Sequence, residues 1–476
     1  METIFETVIG LEVHAQLKTN TKAFCGCSTK FGAEPNTNVC PVCLGMPGVL
    51  PVLNKSVVEF TIKMGLATNS TINEKSIFAR KNYFYPDLPK GYQISQYDKP
   101  ICEFGKLEIE LENGEKKIIG ITRIHMEEDA GKSIHDMDVD TLVDVNRCGV
   151  PLIEIVSEPD IRSPQEAYQY LNKIKQIVTY LDICDGNMEE GSLRCDANIS
   201  IRKFGEPKFG TKTELKNMNS FRNVERALEF EINRQRNLIL DGGKVVQESL
   251  LWNANKNIAL PMRSKEDSHD YRYFPEPDLT NVIVDEKWKA ELQKELPKMP
   301  WVRLNEFTNN YNLPKYDAEI LTSEKKLADY AEECFKISND YKSISNWILT
   351  EVLRVLKENK ISIDDLKVSP KNFTELIELI NNKTLSSNLA KEVFSEMVVN
   401  NEPPNEIVKR RGLFQVSDEG ELEKIIFEII EKNSGEVEKY RSGKTSVIGF
   451  FVGEVMKITK GRANPKLVNE IIKKKL

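Results

Sequence analysis

Four cysteines crowd one short stretch of the chain, Cys25-x-Cys27 and, twelve residues on, Cys40-x-x-Cys43. Two knuckles of paired thiolates suit a tetrahedral Zn2+ whose four positions are all filled by protein, so the ion's role would be structural. Pro41 and Gly45 help to shape the second knuckle. The plain alternative is four unligated thiols. The other five cysteines, Cys102, Cys148, Cys184, Cys195 and Cys334, are scattered and read as small core residues. Nine in all, an odd number in a long chain, argue against a secreted disulfide framework.

Carboxylates and imidazoles offer a second chemistry. Glu12 and His14 lie two apart, so in an extended strand both side chains leave the same face. Arg123, His125 and Glu127 share a face in the same way if residues 121–127 form a strand. Glu127-Glu128-Asp129 then gathers three acids. Asp196 falls on the polar side of its own alternating segment, and Glu214 lies in the run Thr211-Lys212-Thr213-Glu214-Leu215-Lys216. Carboxylates and an imidazole on one polar sheet face can hold Mg2+ against phosphates. Taken singly, each acid also fits a solvated strand face.

A third stretch runs from Arg80, Lys81, Asn82 and Tyr83 through Phe84-Tyr85-Pro86-Asp87-Leu88-Pro89 to Lys90-Gly91, alternating cations, aromatics and turn formers. Cations there can neutralise phosphoryl charge and aromatics can stack on a base. A rigid surface loop has the same composition. No Walker A motif and no Gly-x-Gly-x-x-Gly occurs, which argues against a P-loop or Rossmann nucleotide site. At the C-terminus, from Gly435 to Leu476, ten Lys/Arg stand against four Glu, a local net charge of +6 in a chain whose total is −7. This is either an electrostatic footprint for a polyanion or a solvated, Lys-rich helical tail. Gly443-Lys444-Thr445 ends like a phosphate loop, but the upstream glycine is missing.

These residues need elements to position them. The 476 residues exceed one ordinary core and suggest roughly three domains. Hydrophobic residues at 40% and charged residues at 29% are ordinary for a globular protein, and no stretch approaches the ~20 apolar residues of a membrane helix. The first residues carry acids and no basic n-region, so a cytoplasmic protein without a signal peptide is expected. Ile9 to Leu17 alternates apolar and polar without a fault and predicts a half-buried strand, as does Ser192 to Ile201. Val150 to Val156 is a mostly apolar strand candidate. Ser163-Pro164-Gln165-Glu166 opens a helix with a Ser cap, Pro at the first position and Glu three after the cap. A second helix is predicted over 221–240, with Val224, Leu228, Ile232 and Ile239 inward. Tyr271 to Leu279 reads as an irregular, structured loop. From about Glu291 the chain turns to amphipathic helix, with Pro403-Pro404 as a linker. The expected fold is α+β: a mixed-sheet domain over 1–292, an all-α domain over 293–405 and a helical tail over 406–476.

Taken together, these segments closely resemble the GatB family, which supplies the B subunit of aspartyl/glutamyl-tRNA(Asn/Gln) amidotransferase. The matching words are IGLEVHAQL (9–17), Cys25 to Cys27, CPVCLGMPGVLP (40–51), residues 80–86, IHMEEDAGK (124–132), DVNRCGVPLIEIVSEP (144–159), residues 192–200, residues 211–226, YRYFPEPD (271–278) and residues 449–465. The match runs from end to end. The archaeal relative, GatE, carries a large inserted domain for which this chain has no room.

The resemblance implies an N-terminal kinase-like cradle with the zinc knuckle, a helical domain, and a YqeY-like tail that touches tRNA. It implies catalytic roles for Glu12, His14, Glu127, Glu128 and Lys81, with Lys81 and Glu128 at the end of an ammonia channel. Glu12, His14, Glu128, Asp196 and Glu214 would hold magnesium. Arg80, Asn82, Tyr83, Ser192, Arg194 and Asp196 are the candidates for ATP. Arg441, Lys444, Lys457, Lys460 and Arg462 are the candidates for tRNA phosphates. The activity implied is ATP-dependent phosphorylation of the side-chain carboxylate of a mischarged Glu-tRNA(Gln) or Asp-tRNA(Asn), followed by attack of ammonia. That makes the chain part of a glutamine-dependent carbon–nitrogen ligase, active in a heterotrimer with a glutaminase (GatA) and a small third protein (GatC). An aminoacyl-tRNA synthetase would be a transient partner, and no membrane is involved. A non-catalytic zinc-ribbon scaffold that binds tRNA is the rival; carboxylates massed on one face argue against it, because they repel phosphate unless a metal intervenes.

Overall fold

The computed structural model describes residues 5–111, 113–134, 138–262, 271–413, 419–459, 463 and 465–476. The chain forms two compact units, Met1–Pro300 and Trp301–Leu476. The architecture is α+β: strands dominate the first unit, and the second is helical.

The strands, in chain order, are β1 (Phe5–Gln16), β2 (Thr71–Ile72), β3 (Lys75–Ser76), β4 (Ala79–Asn82), β5 (Tyr92–Ser95), β6 (Cys102–Glu110), β7 (Lys116–Glu128) and β8 (Lys132–Ile134). They continue with β9 (Leu142–Asp144), β10 (Pro151–Ser157), β11 (Leu193–Lys203), β12 (Thr213–Lys216), β13 (Ser249–Asn253), β14 (Ile258–Pro261), β15 (Phe274–Pro275) and β16 (Val282–Ile283). Nine build one mixed sheet in the order β14-β13-β12-β11-β1-β10-β7-β6-β2. Its pairs are antiparallel except β12 with β13. A small sheet, β15-β4-β5, ties residues 274–275 to Ala79 and Arg80, so the aromatic loop contributes a short strand where an irregular segment was expected.

The period-two pattern decides which face is which. Ile9, Leu11, Val13 and Ala15 of β1 are almost fully buried, as are Ile153 and Ile155 of β10, Ile124 and Met126 of β7, and Cys195, Ala197 and Ile199 of β11. Burying such a face provides most of the driving force for the sheet. Three helices cover it: α1 (Lys55–Ala67), α2 (Pro164–Tyr180) and α3 (Phe221–Leu240). Ser163 caps α2 by accepting from the Glu166 N–H, with Pro164 in the first turn. In α3 the inward face differs from the expectation. Ile232 is only half-buried and Ile239 likewise, while Glu231 and Gln235 are fully buried. The reason is Thr213 on β12, whose hydroxyl donates to Glu231 at 2.8 Å, while Gln235 donates to the same carboxylate at 2.8 Å.

The boundary expected at 292 falls inside a helix, α4 (Glu286–Glu295), which packs on α1 in the first unit. In the second unit, one core runs from Phe307 to Leu413 and another from Leu422 to Ile472. Pro403-Pro404, expected as a linker, opens the helix Pro404–Arg411 instead. Proline fits a first helical turn because its missing N–H has no partner there anyway. Ile407 and Val408 of that helix are buried in the first of these cores. No helix among the described residues is long and apolar enough to cross a membrane.

Candidate active site

The face of the sheet opposite the helices carries the charged residues, and strand register sets their places. Arg194 on β11 stands opposite His14 on β1, His14 opposite Glu154 on β10, and Glu154 opposite His125 on β7. One row of side chains thus draws on four strands. The next row sets Lys216, Asp196 and Glu12 side by side, and Glu127 lies one row to the other side, opposite Leu152. Neighbours in such rows come within ~5 Å at Cβ, so their charges interact directly.

The centre of the arrangement is Glu154. Its Oε2 lies 3.2 Å from His14 Nε2 and 3.6 Å from His125 Nε2. Glu127 Oε1 receives Lys81 Nζ at 3.3 Å, and Glu127 Oε2 has no hydrogen-bond partner among the described residues. Burial opposes ionisation of Glu154, yet His125, His14 and Lys81 together hold its carboxyl well below the usual carboxylate range. Burial pushes the Glu127 carboxyl up, and Lys81 pulls the other way. Burial also works against the His14 imidazolium, but the hydrogen bond and charge of Glu154 outweigh it and raise its pKa. For His125 the balance is reversed: burial, aided by the charges of Arg123, Lys81 and His14, outweighs the pull of Glu154 and drives its pKa down to about 4, leaving it neutral at neutral pH. Lys81 is disfavoured by burial and more than compensated by Glu127 and Glu154, so it stays charged. Its ammonium lies 4.9 Å from the centre of the Tyr271 ring, in a wall completed by Tyr273 stacked on Tyr97 at 4.3 Å.

One donor atom from each of His14, Glu127 and Glu154 lies within 4.8 Å of the others. Two carboxylates and an imidazole, with one buried oxygen that accepts no hydrogen bond among the described residues and has only His125 Nε2 at 3.8 Å, fit a divalent cation, and the oxygens suit Mg2+ or Mn2+. Glu12 and its neighbours form a second acidic group on the same face. Asn198 donates to Glu12 at 2.9 Å, while Lys216 bridges Asp196 at 2.8 Å and Glu214 at 2.9 Å. Burial and the nearby Glu154 and Glu214 raise the Glu12 pKa. Burial would raise that of Glu214 too, but Lys216 and Ser249 bring it down.

Several expected ligands are placed otherwise. Glu128 follows Glu127 in a strand, so it leaves the opposite face; there it accepts from the Ile94 N–H at 2.8 Å and pairs with Lys90. It is not among the acids that face His14. Arg80, expected on phosphates, is taken up by Glu276 at 2.7 Å and Asp278 at 3.0 Å and lies over the Tyr92 ring. Asn82 donates to the Arg272 carbonyl at 2.7 Å, and Tyr83 to Gln93 at 2.5 Å. Arg80 and Asn82 fasten the aromatic loop, and Tyr83 packs edge-on against its Tyr271 ring. Ser192 donates to Asp185 at 3.2 Å. Arg194 pairs with buried Asp129 at 3.0 Å, at the edge of the His14 row. Glu154 is absent from the residues expected from sequence. Its signal there is a lone acid inside an apolar strand, where burying an unpaired charge costs several kcal/mol.

Cys25, Cys27, Cys40 and Cys43 converge, with their sulfurs within 4.8 Å of one another. Cys40 and Cys43 are 3.9 Å apart, close to the ~3.8 Å edge of a tetrahedron with ~2.3 Å Zn–S bonds. A hydrogen bond from Cys25 pulls the Cys43 thiol down and pushes Cys25 up. Lys22, fully buried, approaches Cys43 Sγ at 3.6 Å and donates to the Asn38 carbonyl at 2.8 Å. The cluster can hold zinc. In the tail, Arg441, Lys444 and Lys457 are exposed, whereas Lys460 and Arg462 lie outside the described residues.

Comparison with known proteins bears on the whole chain. Residues 7–290 match the model of the GatB/GatE catalytic domain, and residues 329–476 match that of the GatB domain. The B subunit of the aspartyl/glutamyl-tRNA(Asn/Gln) amidotransferase of Thermodesulfovibrio yellowstonii is 58% identical over 98% of this chain and 98% of its own length. Proteins of the same name from Trichlorobacter lovleyi and Chlorobaculum tepidum are each 56% identical over 99% of both chains. The first match covers the sheet that sets His14 against Glu154, and the second reaches the last residue; the chain belongs to the GatB family, the B subunits of tRNA-dependent amidotransferases.

Proposed function

We propose that this chain activates the side-chain carboxylate of a mischarged Glu-tRNA(Gln) or Asp-tRNA(Asn) with ATP and delivers it to ammonia, yielding Gln-tRNA(Gln) or Asn-tRNA(Asn). The observation that carries the reading is the cluster of His14, Glu127 and Glu154 with Lys81 at its edge. A carboxylate is a poor acyl donor because it would expel oxide. Its oxygen therefore attacks the γ-phosphorus of ATP, the bond to ADP breaks, and the electron pair leaves with ADP. Ammonia then attacks the carbonyl carbon of the acyl phosphate, phosphate departs, and the nitrogen gives up a proton.

His14, Glu127 and Glu154, helped by Glu12, Asp196 and Glu214, would hold magnesium, whose charge would offset that of the phosphates and lessen their repulsion of the incoming carboxylate. Arg194 orients Asp129 and closes the row beside His14. Lys81 supplies positive charge where phosphate charge builds up. Glu127, pushed up by burial, suits a proton acceptor for the attacking nitrogen. Glu128 keeps the ammonia-handling role from the far face and gives up the magnesium one. Ammonia itself would come from the glutaminase GatA, held together with the small GatC. The division into activation, helical and tRNA-binding parts follows the same reading, with Arg441, Lys444 and Lys457 meeting tRNA phosphates and zinc fixing the knuckle.

The test is a transamidation assay on the complex with each mischarged tRNA, ATP, Mg2+ and either glutamine or ammonium. ADP release and amide formation should depend on the mischarged tRNA and disappear together in Glu127→Gln, with tRNA binding kept. A scaffold predicts no ATP turnover by any form, and undiminished turnover in the variant would overturn the site.

A further inference from the structure

One cation beside the cysteine cluster is shut off from water: Lys22 is 0% exposed. Its Nζ donates to the Asn38 carbonyl at 2.8 Å and reaches Cys43 Sγ at 3.6 Å. Its backbone N–H donates to the Cys27 carbonyl at 3.0 Å. Asn38 lies just before Cys40 in the chain, so this one residue is bonded to both knuckles. Gly149, at φ +82°, packs against its stem; a Cβ built there would stand 3.5 Å from Lys22 Cδ and 3.6 Å from Cys43 Cβ. Among the described residues, neither side-chain hydrogen bond of Lys22 goes to a carboxylate. Glu128, whose Oε2 would be 3.7 Å from the same Cβ, is already paired with Lys90. A fully buried ammonium is costly unless negative charge lies beside it.

We propose that Lys22 is the positioning residue that supplies the counter-charge of a zinc tetrathiolate, an assignment that rests on zinc in the knuckle as proposed above. Four thiolates around one Zn2+ leave negative charge in excess, whereas four thiols leave none. A buried ammonium against Cys43 therefore suits the metal-bound state. There it draws electron density from the Cys43 sulfur, keeps that thiolate on the metal and weakens it as a nucleophile. The Cys40 backbone N–H, 3.2 Å from the same sulfur, adds a second donor. Lys22, Cys25, Cys43, Lys90 and Glu128 line one cavity. The loaded cluster and the Glu128 carboxylate are thus two negative groups in one wall, each with its own cation. Lys22 offsets the charge of the first before it can act on the second.

The test uses the assembled complex and measures zinc affinity by competition with a chromophoric chelator. Lys22→Met keeps an unbranched stem and removes the charge. Affinity should fall about 10–100-fold, the usual effect of losing a group bonded to a metal ligand. Lys22→Gln, which retains a donor without the charge, should lose affinity as well. With Co2+ in place of zinc, the thiolate-to-cobalt charge-transfer band should move to longer wavelength in both variants, because sulfur gives up an electron more readily without the cation. The melting temperature should drop further in the zinc-loaded complex than in the zinc-stripped one. Unchanged affinity and band position, or equal melting losses with and without metal, would reduce Lys22 to packing and overturn the assignment while leaving zinc in place. So would a loss confined to Lys22→Met, since a neutral donor would then suffice. An unaltered complex that takes up no zinc overturns the zinc site itself.

Discussion

Replacing Glu154 by Gln keeps the shape of the side chain and removes one buried negative charge from between two imidazoles. At 3.2 Å and an effective dielectric constant of about 20, its attraction for a charged His14 is roughly 5 kcal/mol. A neutral amide can retain a hydrogen bond to one ring nitrogen, worth about 1 kcal/mol. Most of the attraction is therefore lost, while the burial that opposes the imidazolium remains and Arg194 still lies alongside. The pKa of His14, raised above the ordinary 6.5 in the native protein, should fall below it in Glu154→Gln. The chain has four histidines, so ring-labelled histidine NMR can follow each one, assigned by single His→Gln variants. The same substitution removes a candidate cation ligand. Mn2+ affinity, read by electron paramagnetic resonance, should drop at least about tenfold. A His14 resonance that still titrates above its ordinary value, with Mn2+ binding intact, would show that Glu154 neither charges His14 nor holds the cation.

Three further outcomes are expected. His125 takes up its proton near 6.5 when unfolded but only at about 4 when folded, so protonation favours the unfolded chain; stability should fall by about 3 kcal/mol as pH drops from 6.5 toward 4 and level off below, a slope that denaturant titrations should find reduced in His125→Gln. A chain ending at residue 413 keeps Ile407, Val408 and Leu413 in their core, whereas one ending at 403 loses all three; at ~1.5–3 kcal/mol each the shorter chain should be destabilised by roughly 5 kcal/mol, read from melting curves, and filter binding should find tRNA affinity reduced in both. Metal analysis should find one zinc per chain, and Cys40→Ser should release it and leave the remaining knuckle thiols open to thiol reagents; a metal-free protein that melts normally would remove zinc from the account.

Much of the site is legible from periodicity alone. The unbroken alternation of Ile9 to Leu17 and of Ser192 to Ile201 puts Glu12, His14, Arg194 and Asp196 on one polar face, since side-chain direction in a strand depends only on parity. The same rule applied to Glu127-Glu128 separates them; taking the run of acids as one cluster overrides it. Glu154 escapes notice because six apolar or small neighbours make its segment look like plain core, although an acid in that setting demands a partner. Arg80 cannot be placed from local sequence, because its partner Glu276 lies 196 residues away. Pro403-Pro404 misleads because the same dipeptide marks both a linker and a helix start, and only the burial of Ile407 and Val408 distinguishes them.

The row Arg194, His14, Glu154, His125 has a consequence for how this protein can change over time. Each member comes from a different strand, and none is near another in sequence, so the site is encoded as alignment as much as identity. Inserting or deleting one residue within β1, β10 or the last turns of β7 would rotate every later side chain of that strand to the other face and bring Glu128, or a buried Ile, to the place of Glu127 or Glu154. A one-residue irregularity already exists where Val156 and Ser157 of β10 face Arg123 and Ile121, with Thr122 unpaired between them. It lies just upstream of the charged segment of β7 and absorbs a mismatch without disturbing the row. Length variation should therefore be tolerated up to Thr122 and in the loops, and excluded from the six residues that follow it.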